Sequence, residues 1–250
     1  MHILITNDDG VSDLGLLAMY EVAAEFGTVS VLAPNKNWSG CGHVKTLDRP
    51  LRVFESSLAD GTPALSSDGA PSDCVALAVL GVIEQKPDLV LSGINTSANL
   101  GDDVTYSGTV MAAMEGMIQG IPSIAFSQEH PINRTQDFSV TQTVARHVLT
   151  QFQKDSIPAG TFVSVNVPGI APDQLKGIKM TRLGKRIYLD RLDKQTDPRG
   201  GTYYWIGGEF PQGEYEPDTD IGALMDGYAS ITPLSRDMTA NTAFNWGKTD

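Results

Sequence analysis

Two adjacent carboxylates, Asp8 and Asp9, are the residues of this sequence best suited to chemistry. They follow a short apolar run, His2 to Ile5, which predicts a buried central strand. Ligands of open α/β sheets bind at the carboxyl ends of such strands, and Gly10 permits the turn that would bring the two side chains together. Two carboxylates about 4 Å apart repel by roughly 1 kcal/mol in water and more when buried, so this pair favours a bound cation. The alternative is an exposed Asx turn that caps the next helix.

A second polar stretch follows the strand predicted at residues 88–91. It offers amide, hydroxyl and glycine positions: Asn95, Asn99, Ser107, Gly108 and Thr109. The last three open a predicted helix, where free backbone N–H groups and the helix dipole favour an anion by about 0.3–1 kcal/mol per charge. The hydroxyls of Ser107 and Thr109 would add donors. The stretch therefore predicts a phosphate site, and a single Ser/Thr N-cap is the alternative.

The elements that must position these residues alternate between strands and helices, which predicts the α/β class. Apolar runs predict strands at 2–5, 29–33, 88–91, 122–126, 161–167 and 228–232, and short hairpin strands between 43 and 65. Apolar residues at helical spacing predict helices at 12–26, from 71 to 83, from 109 to 118, at 135–152 and from 219. The first of these is expected to be capped by Ser12 and to complete a βαβ unit. The loop at 34–42, which contains Ser39, would then share its sheet edge with Asp8 and Asp9.

Residues 177–216 differ in character from the rest of the chain. They show no helical period, contain many glycines and include the aromatic run Tyr203-Tyr204-Trp205. We interpret them as an extended, hairpin-rich arm that cannot bury its aromatic side chains against itself and therefore implies a partner surface. With no internal repeat or linker, residues 1–250 are predicted to be a single domain that carries this arm.

Composition narrows the function classes. The sequence is 41% hydrophobic and 19% charged, which is ordinary for a globular protein. A net charge of −12 argues against a nucleic-acid polymer or an anionic membrane as a partner. Two cysteines and four scattered histidines give neither a disulfide framework nor a familiar structural zinc site. Without a long apolar span or a signal sequence, the chain is expected to be cytoplasmic.

Four separate segments are thus expected to meet at one sheet edge, namely Asp8-Asp9, the Ser39 loop, Asn95, and Ser107 to Thr109. Every ligand offered is an oxygen, which suits Mg²⁺ or Mn²⁺ better than zinc or copper. A hard cation beside a phosphate site indicates phosphoryl chemistry.

The sequence resembles the SurE family of survival proteins, which are metal-dependent acid phosphatases that act as 5′-nucleotidases. The resemblance rests on ITNDDG at 5–10, Asn-x-Ser-Gly at 37–40, GAPSDCV at 69–75, PDLVLSGIN at 87–95, NLGDDVTYSGTVMAAMEG at 99–116, PSIAFS at 122–127, SVNVP at 164–168 and TD…GYASITPL at 219–234. These motifs span nearly the whole chain. The chain departs from the family at Ser97-Ala98-Asn99, where a glycine is usual at the first position, and Trp38 is a bulky neighbour for Ser39.

The resemblance implies a Rossmann-like, three-layer, mostly parallel sheet with a C-terminal arm exchanged between subunits of a homodimer or homotetramer. It implies one Mg²⁺ or Mn²⁺ per subunit, with metal ligands Asp8, Asp9, Ser39 and Asn95. Asp8 and Asp9 would be catalytic, and the substrate-binding residues would be Asn95, Asn99, Ser107, Gly108 and Thr109. The expected substrates are nucleoside 5′-monophosphates, with 3′-nucleotides and short polyphosphate as further candidates, and the expected role is in stationary-phase survival.

Other classes fit less well. A haloacid-dehalogenase-type phosphatase needs Asp-x-Asp after its first strand, whereas the residue two beyond Asp8 is Gly10. A dinucleotide-binding dehydrogenase needs Gly-x-Gly-x-x-Gly there, which is absent from the sequence. A non-catalytic, nucleotide-binding stress-response module on the same fold is the alternative that the sequence leaves open.

Overall fold

A nine-stranded sheet lies at the centre of this protein in its computed structural model, which describes residues 1–130, 137–209 and 211–239. The strands of these residues are β1 His2–Thr6, β2 Thr28–Pro34, β3 Val53–Ser57, β4 Pro63–Ser67, β5 Leu89–Asn95, β6 Ser123–Gln128, β7 Thr161–Val167, β8 Ile178–Met180, β9 Arg186–Ile187, β10 Asp190–Thr196, β11 Thr202–Gly208, β12 Gln212–Gly213 and β13 Ala229–Ser235. The α-helices are α1 Leu14–Ala23, α2 Pro71–Leu77, α3 Gly108–Ile118, α4 Ser139–Lys154 and α5 Asp220–Met225. A wide helical turn, Ala78–Val82, continues α2, and 3₁₀ turns occupy Gly101–Thr105 and Pro172–Gln174.

The main sheet has the strand order β3-β4-β2-β1-β5-β6-β7-β13-β8. Its strands pair in parallel, except that β3 is antiparallel to β4 and β13 is antiparallel to β7. Strand β1 lies between β2 and β5, and Ile3 is in register with Val29 on one side and Leu89 on the other. The chain therefore crosses in opposite directions from β1, which makes the carboxyl ends of β1 and β5 the topological switch point of the sheet.

Helices cover both faces of the sheet, as the alternation of strand side chains requires. Ile3 and Ile5 pack in one apolar cluster with residues of α1 and α4, whereas Leu4 packs in a second cluster with residues of α2 and α3. This arrangement confirms the predicted α/β class and its three layers. No helix within the described ranges is long and apolar enough to cross a membrane.

Most predicted elements lie where the sequence placed them. Strand β7 spans the predicted residues, and β13 returns to the main sheet beside it. The prediction of Ser12 as the cap of α1 is wrong, because the Asp13 carboxylate accepts the hydrogen bond from the backbone N–H of Gly15. Helix α4 begins at Ser139, later than predicted, and residues 135–136 of the predicted helix lie outside the described residues.

The segment at 177–216 is extended, as predicted, but it does not lie wholly outside the main sheet. Strand β8 joins the sheet in parallel with β13. Beyond it, β10 and β11 form a separate two-stranded antiparallel hairpin, and β9 pairs with β12. Every residue of β10 and β11 is exposed, including Trp205 and Ile206. The role of this arm in assembly stays a prediction.

Candidate active site

A cavity of about 240 Å³ lies at the switch point between β1 and β5. It is lined by Asp8, Asp9, Ser39, Gly40, Asn95, Thr96, Ser97, Asn99, Asp103, Tyr106 and Ser107. The four segments predicted to converge therefore do so, and six of the eight predicted site residues line one cavity. The other two, Gly108 and Thr109, lie behind it and contact Asp8.

Asp8 is held from two sides. Its backbone carbonyl accepts a hydrogen bond of 2.8 Å from the N–H of Trp38, which ties the Ser39 loop to the end of β1. Its carboxylate accepts a hydrogen bond from the Thr109 hydroxyl. Thr109 is fully buried, so the structure places its hydroxyl on Asp8 rather than at the cavity surface. Gly108 makes this approach possible, because a Cβ at that position would lie 2.8 Å from the Cβ of Asp8.

Asn37 links Asp9 to Ser39. Its amide nitrogen donates to Oδ1 of Asp9 at 3.1 Å, and its amide oxygen accepts from the backbone N–H of Ser39 at 2.8 Å. The other carboxylate oxygen of Asp9, Oδ2, is buried and has no hydrogen-bond partner among the described residues. A buried carboxylate oxygen without a donor is costly, and a cation at this point would satisfy it.

Asn95 reaches the cavity because strand β5 is irregular before it. The register between β5 and β6 shifts between Ser92 and Asn95, and Gly93 adopts a φ of +132°. A Cβ at Gly93 would lie 2.2 Å from the carbonyl oxygen of Phe126, so only glycine fits. The Asn95 amide nitrogen donates to the carbonyl of Ser97 at 2.7 Å, which leaves its amide oxygen as the acceptor atom of the side chain.

Asn99 is fixed by residues at the ends of the next two strands. Its backbone N–H donates to the Asn166 side chain at 2.7 Å, and its amide nitrogen donates to the Ser127 hydroxyl at 2.8 Å. The Asn166 amide nitrogen returns a hydrogen bond of 3.0 Å to the carbonyl of Asn99. Because both strands hold it, Asn99 has a preset position beside Asn95.

Helix α3 begins at the cavity. Ser107 is its N-cap, and its buried hydroxyl accepts a hydrogen bond of 3.1 Å from the N–H of Val110. The capping role that the sequence left as an alternative is therefore real, and it does not exclude a second role because the hydroxyl proton remains available as a donor. The positive end of the dipole of α3 faces the same cavity as the two carboxylates.

Burial raises the pKa of the Asp8 carboxyl, although the hydrogen bond from Thr109 opposes the shift. Burial also raises the pKa of Asp9 to about 7, and the negative charge of Asp8 acts in the same direction, while the backbone N–H of Thr96 and the amide of Asn37 oppose the shift. Two acids whose charged forms are disfavoured by burial and by each other are typical of a site that is completed by a cation. The nearby Cys41 thiol is kept protonated, since burial and then Asp8 raise its pKa to about 11.

The oxygen donors fit a hard divalent cation. Asp8, Asp9, Ser39 and Asn95 line one cavity, and the unpartnered Oδ2 of Asp9 is among their atoms. No cluster of three or more His, Cys, Asp or Glu side chains suited to a metal exists in the part of the chain that the structure describes. The set therefore depends on neutral oxygens beside two carboxylates.

The chain immediately after the Ser39 loop is anchored to α3 by a cluster of polar side chains that the sequence did not reveal. Glu115 on α3 is buried, and its carboxylate pairs with Nε2 of His43 at 2.9 Å and with Nζ of Lys45 at 3.1 Å. Gln119 donates a further hydrogen bond of 2.9 Å. The hydrogen bond from His43 is the main reason that the pKa of Glu115 falls to about 2.

The rim of the cavity contains two more residues, Asp103 and Tyr106, which the sequence did not lead us to assign to the site. Asp103 accepts hydrogen bonds from Nε of Arg186 at 2.7 Å and from the hydroxyl of Tyr188 at 2.8 Å. Tyr188 in turn lies against Tyr106, with ring centroids 6.3 Å apart. Both partners come from the base of the arm, so local sequence gave no signal of these contacts.

Fold and site together define a Rossmann-like α/β protein with an all-oxygen, acidic site beside a helix N-terminus at the switch point. The family model for survival protein SurE matches residues 3–190 of the chain. A 5′-nucleotidase SurE of Herpetosiphon aurantiacus is 51% identical, over 96% of this chain and 94% of that protein. One of Chloroflexus aggregans is 48% identical, over 96% of this chain and 95% of that protein. The chain belongs to the SurE family.

A 5′/3′-nucleotidase SurE of Serratia proteamaculans is 42% identical to this chain, over 100% of it and 96% of that protein. Among solved structures, the SurE protein of Aquifex aeolicus superposes with a TM-score of 0.80 at 42% identity. That alignment covers 96% of this chain and 95% of the other. The similarity therefore extends to the described fold as well as to the sequence.

Proposed function

We propose that this protein is a metal-dependent phosphomonoesterase that hydrolyses nucleoside 5′-monophosphates to nucleoside and phosphate. The observation that carries the proposal is the meeting, in one cavity, of the carboxylates of buried Asp8 and half-buried Asp9 with the N-terminus of α3. The names of the relatives support the substrate class, since those of Herpetosiphon and Chloroflexus are called 5′-nucleotidases. The Serratia name makes 3′-nucleotides a second substrate to assay.

Asp8, Asp9, Ser39 and Asn95 would hold one Mg²⁺ or Mn²⁺ per subunit. Such a cation polarises a phosphoryl oxygen and offsets the negative charge of the reacting phosphate. Phosphate-monoester hydrolysis is among the slowest uncatalysed reactions, so a helix dipole worth about 1 kcal/mol cannot account for it alone.

The remaining tasks belong to the protein's own groups. The hydroxyl of Ser107 and the first free N–H groups of α3 would bind the phosphate oxygens, with the amide of Asn99 beside them. Asp8 is our first choice for direct participation, either as the nucleophile or as the group that orients the attacking water. Thr109 and Gly108 would support this step by holding the Asp8 carboxylate in place.

The direct test is phosphate release from the four common nucleoside 5′-monophosphates with Mn²⁺ present and with excess chelator. Activity is expected only with the metal. Asp8→Asn and Asp9→Asn are each expected to lower turnover by at least about 10³-fold, roughly 4 kcal/mol, and to weaken Mn²⁺ binding. Asp173→Asn, a change at an exposed aspartate in a 3₁₀ turn, is the matched control. Full activity in excess chelator would contradict the metal dependence. A turnover of Asp8→Asn within ten-fold of that of the wild type would contradict the role assigned to Asp8.

The same assay separates the enzyme from the non-catalytic module that the sequence left open, because only an enzyme releases phosphate. No contact among the described residues favours that second function.

We further propose that the arm joins subunits into a homodimer or homotetramer. Cytoplasmic location and a role in stationary-phase survival stay predictions.

A further inference from the structure

The cavity is too small for a whole nucleotide. Its volume of about 240 Å³ lies below the roughly 300–1,000 Å³ of pockets that enclose complete small ligands. Its most buried residues, Asp8, Asn95 and Ser107 among them, are polar and suit the phosphate end of a substrate. A nucleoside attached to a phosphate bound there must therefore extend past the rim.

Tyr106 is the one aromatic residue among the described residues that line the cavity, and 60% of its surface is exposed. It directly precedes Ser107, the N-cap of α3, so its ring lies next to the predicted phosphate site. Trp38 is the nearest aromatic alternative in sequence, but it does not line the cavity and Nζ of Lys36 lies over its ring at 4.7 Å.

The main chain of Tyr106 is fixed by two hydrogen bonds, and its exposed ring has one aromatic neighbour. The Tyr106 carbonyl accepts from the N–H of Gly42 at 2.9 Å, and the Tyr106 N–H donates to the carbonyl of Asp103 at 3.0 Å. Tyr188 packs against the ring at an interplanar angle of 89°, while its own hydroxyl is fixed by Asp103 at 2.8 Å. A perpendicular neighbour restricts the ring without stacking parallel to it, and an aromatic ring that is already restricted loses less conformational freedom when a ligand stacks on it.

We propose that Tyr106 is the platform on which the base of the nucleotide stacks, with Tyr188 and Asp103 as the residues that position it. This inference rests on the proposed function and adds how the base is bound. Every base has a π-face, so stacking of this kind accepts purines and pyrimidines alike and favours nucleotides over phosphomonoesters that have no aromatic ring.

The test compares adenosine 5′-monophosphate with ribose 5-phosphate, which has the same phosphate and sugar but no base. For each compound, kcat and KM are measured with Mn²⁺, and binding is measured separately by calorimetry. The wild type is expected to bind the nucleotide at least ten-fold more tightly. Tyr106→Ala is expected to raise KM and Kd for the nucleotide about ten-fold, while both values for ribose 5-phosphate change by less than about three-fold.

Tyr106→Phe keeps the ring and is expected to behave like the wild type. Tyr188→Phe, which loses the hydrogen bond to Asp103, is expected to show a smaller loss that is again confined to the nucleotide. An equal loss for both compounds, or unchanged nucleotide binding in Tyr106→Ala, would overturn the proposal. Sedimentation of each variant identifies a loss that comes from altered assembly, which would also count against it. Base-dependent binding without turnover would support the platform and refute only the phosphatase.

Discussion

At the scale of single residues, the site is defined by the negative charge of Asp9, which no cationic side chain among the described lining residues of the cavity balances. Asp9 has one carboxylate oxygen that is buried without a partner and a pKa raised to about 7 by burial and by Asp8. The unfolded chain would ionise the same group near its ordinary pKa of 3.8. The folded state therefore holds the proton more tightly, and its stability without metal falls as the pH rises from about 4 to about 7.

We expect Asp9→Asn to stabilise the metal-free protein at pH 8 and to have little effect at pH 4. Because part of Asp9 faces solvent, the gain should be about 1–2 kcal/mol, less than the roughly 4 kcal/mol that the full shift would give. Urea unfolding in chelator at the two pH values measures it, with Asp173→Asn as the surface control. With Mn²⁺ added in place of chelator, the wild type should become more stable than Asp9→Asn at pH 8, since only the wild type gains stability by binding the metal. A variant that is less stable than wild type at pH 8 in chelator would contradict this account.

Thr109 offers a second test at this scale, because its hydroxyl lies on Asp8 and not at the cavity surface. Thr109→Val keeps the shape of the side chain and removes the donor, so we expect Mn²⁺ affinity to fall by about ten-fold, the loss of one hydrogen bond to a charged group. Thr109→Ser retains the donor and should bind Mn²⁺ nearly as well as wild type. If Thr109→Val weakened the binding of phosphate but not of Mn²⁺, the residue would contact substrate directly, as the resemblance implied.

At the scale of elements, the loop that contains Ser39 depends on helix α3 for its position. Glu115 of α3 pairs with His43 and Lys45 at the end of that loop, and the same helix begins with Ser107 at the cavity. The pKa of Glu115 is lowered to about 2, chiefly by the hydrogen bond from His43. Its contribution to stability is therefore complete above about pH 4.5 and is lost as the pH falls towards 2.

Glu115→Gln is expected to lower the free energy of unfolding at pH 7 by about 2 kcal/mol, because a buried carboxylate that accepts hydrogen bonds from His43, Lys45 and Gln119 is replaced by a neutral amide. It should also weaken Mn²⁺ binding, since the Ser39 loop loses one of its anchors. Glu25→Gln breaks an exposed ion pair with Arg146 on the other face of the sheet and should cost less than about 1 kcal/mol. Equal losses in the two variants would show that the cluster does not stabilise the loop.

At the scale of the whole molecule, the hairpin of β10 and β11 has no core of its own. Leu192 is paired with Ile206, and the two side chains are 63% and 81% exposed. An isolated two-stranded hairpin is marginally stable in water, and an exposed apolar strand pair invites association. The base of the same arm contacts Asp103 at the cavity rim through Arg186 and Tyr188.

We expect the intact chain to sediment as a dimer or larger at micromolar concentration. Replacing residues 191–207 with a short Gly-Ser turn should yield monomer or aggregate, and Leu192→Asp with Ile206→Asp should weaken the assembly. Asp193→Asn, a polar change on the same hairpin, should leave the sedimentation coefficient unchanged. A soluble monomer of the intact chain would exclude the arm as an assembly element.

Much of the site could be predicted from local sequence, because parallel strands bring their following loops to one edge of the sheet. Apolar runs located β1 and β5, and the polar residues just after them, Asp8, Asp9 and Asn95, therefore had to meet at the switch point. The glycine and hydroxyl residues before α3 located its N-terminus by the same logic. These inferences need only the strand period, the crossover rule and the chemistry of the side chains.

Only the tertiary structure decided which partner each side chain meets. Thr109 contacts Asp8 across 101 positions of sequence, and Glu115 meets His43 across 72. Tyr188 reaches Asp103 across 85 positions, which brings the arm to the rim beside Tyr106. Local patterns report whether a residue is buried and in which element it lies. They do not report the angle at which two distant elements pack, and that angle directs the Thr109 hydroxyl to a carboxylate and leaves the Tyr106 ring exposed at the rim.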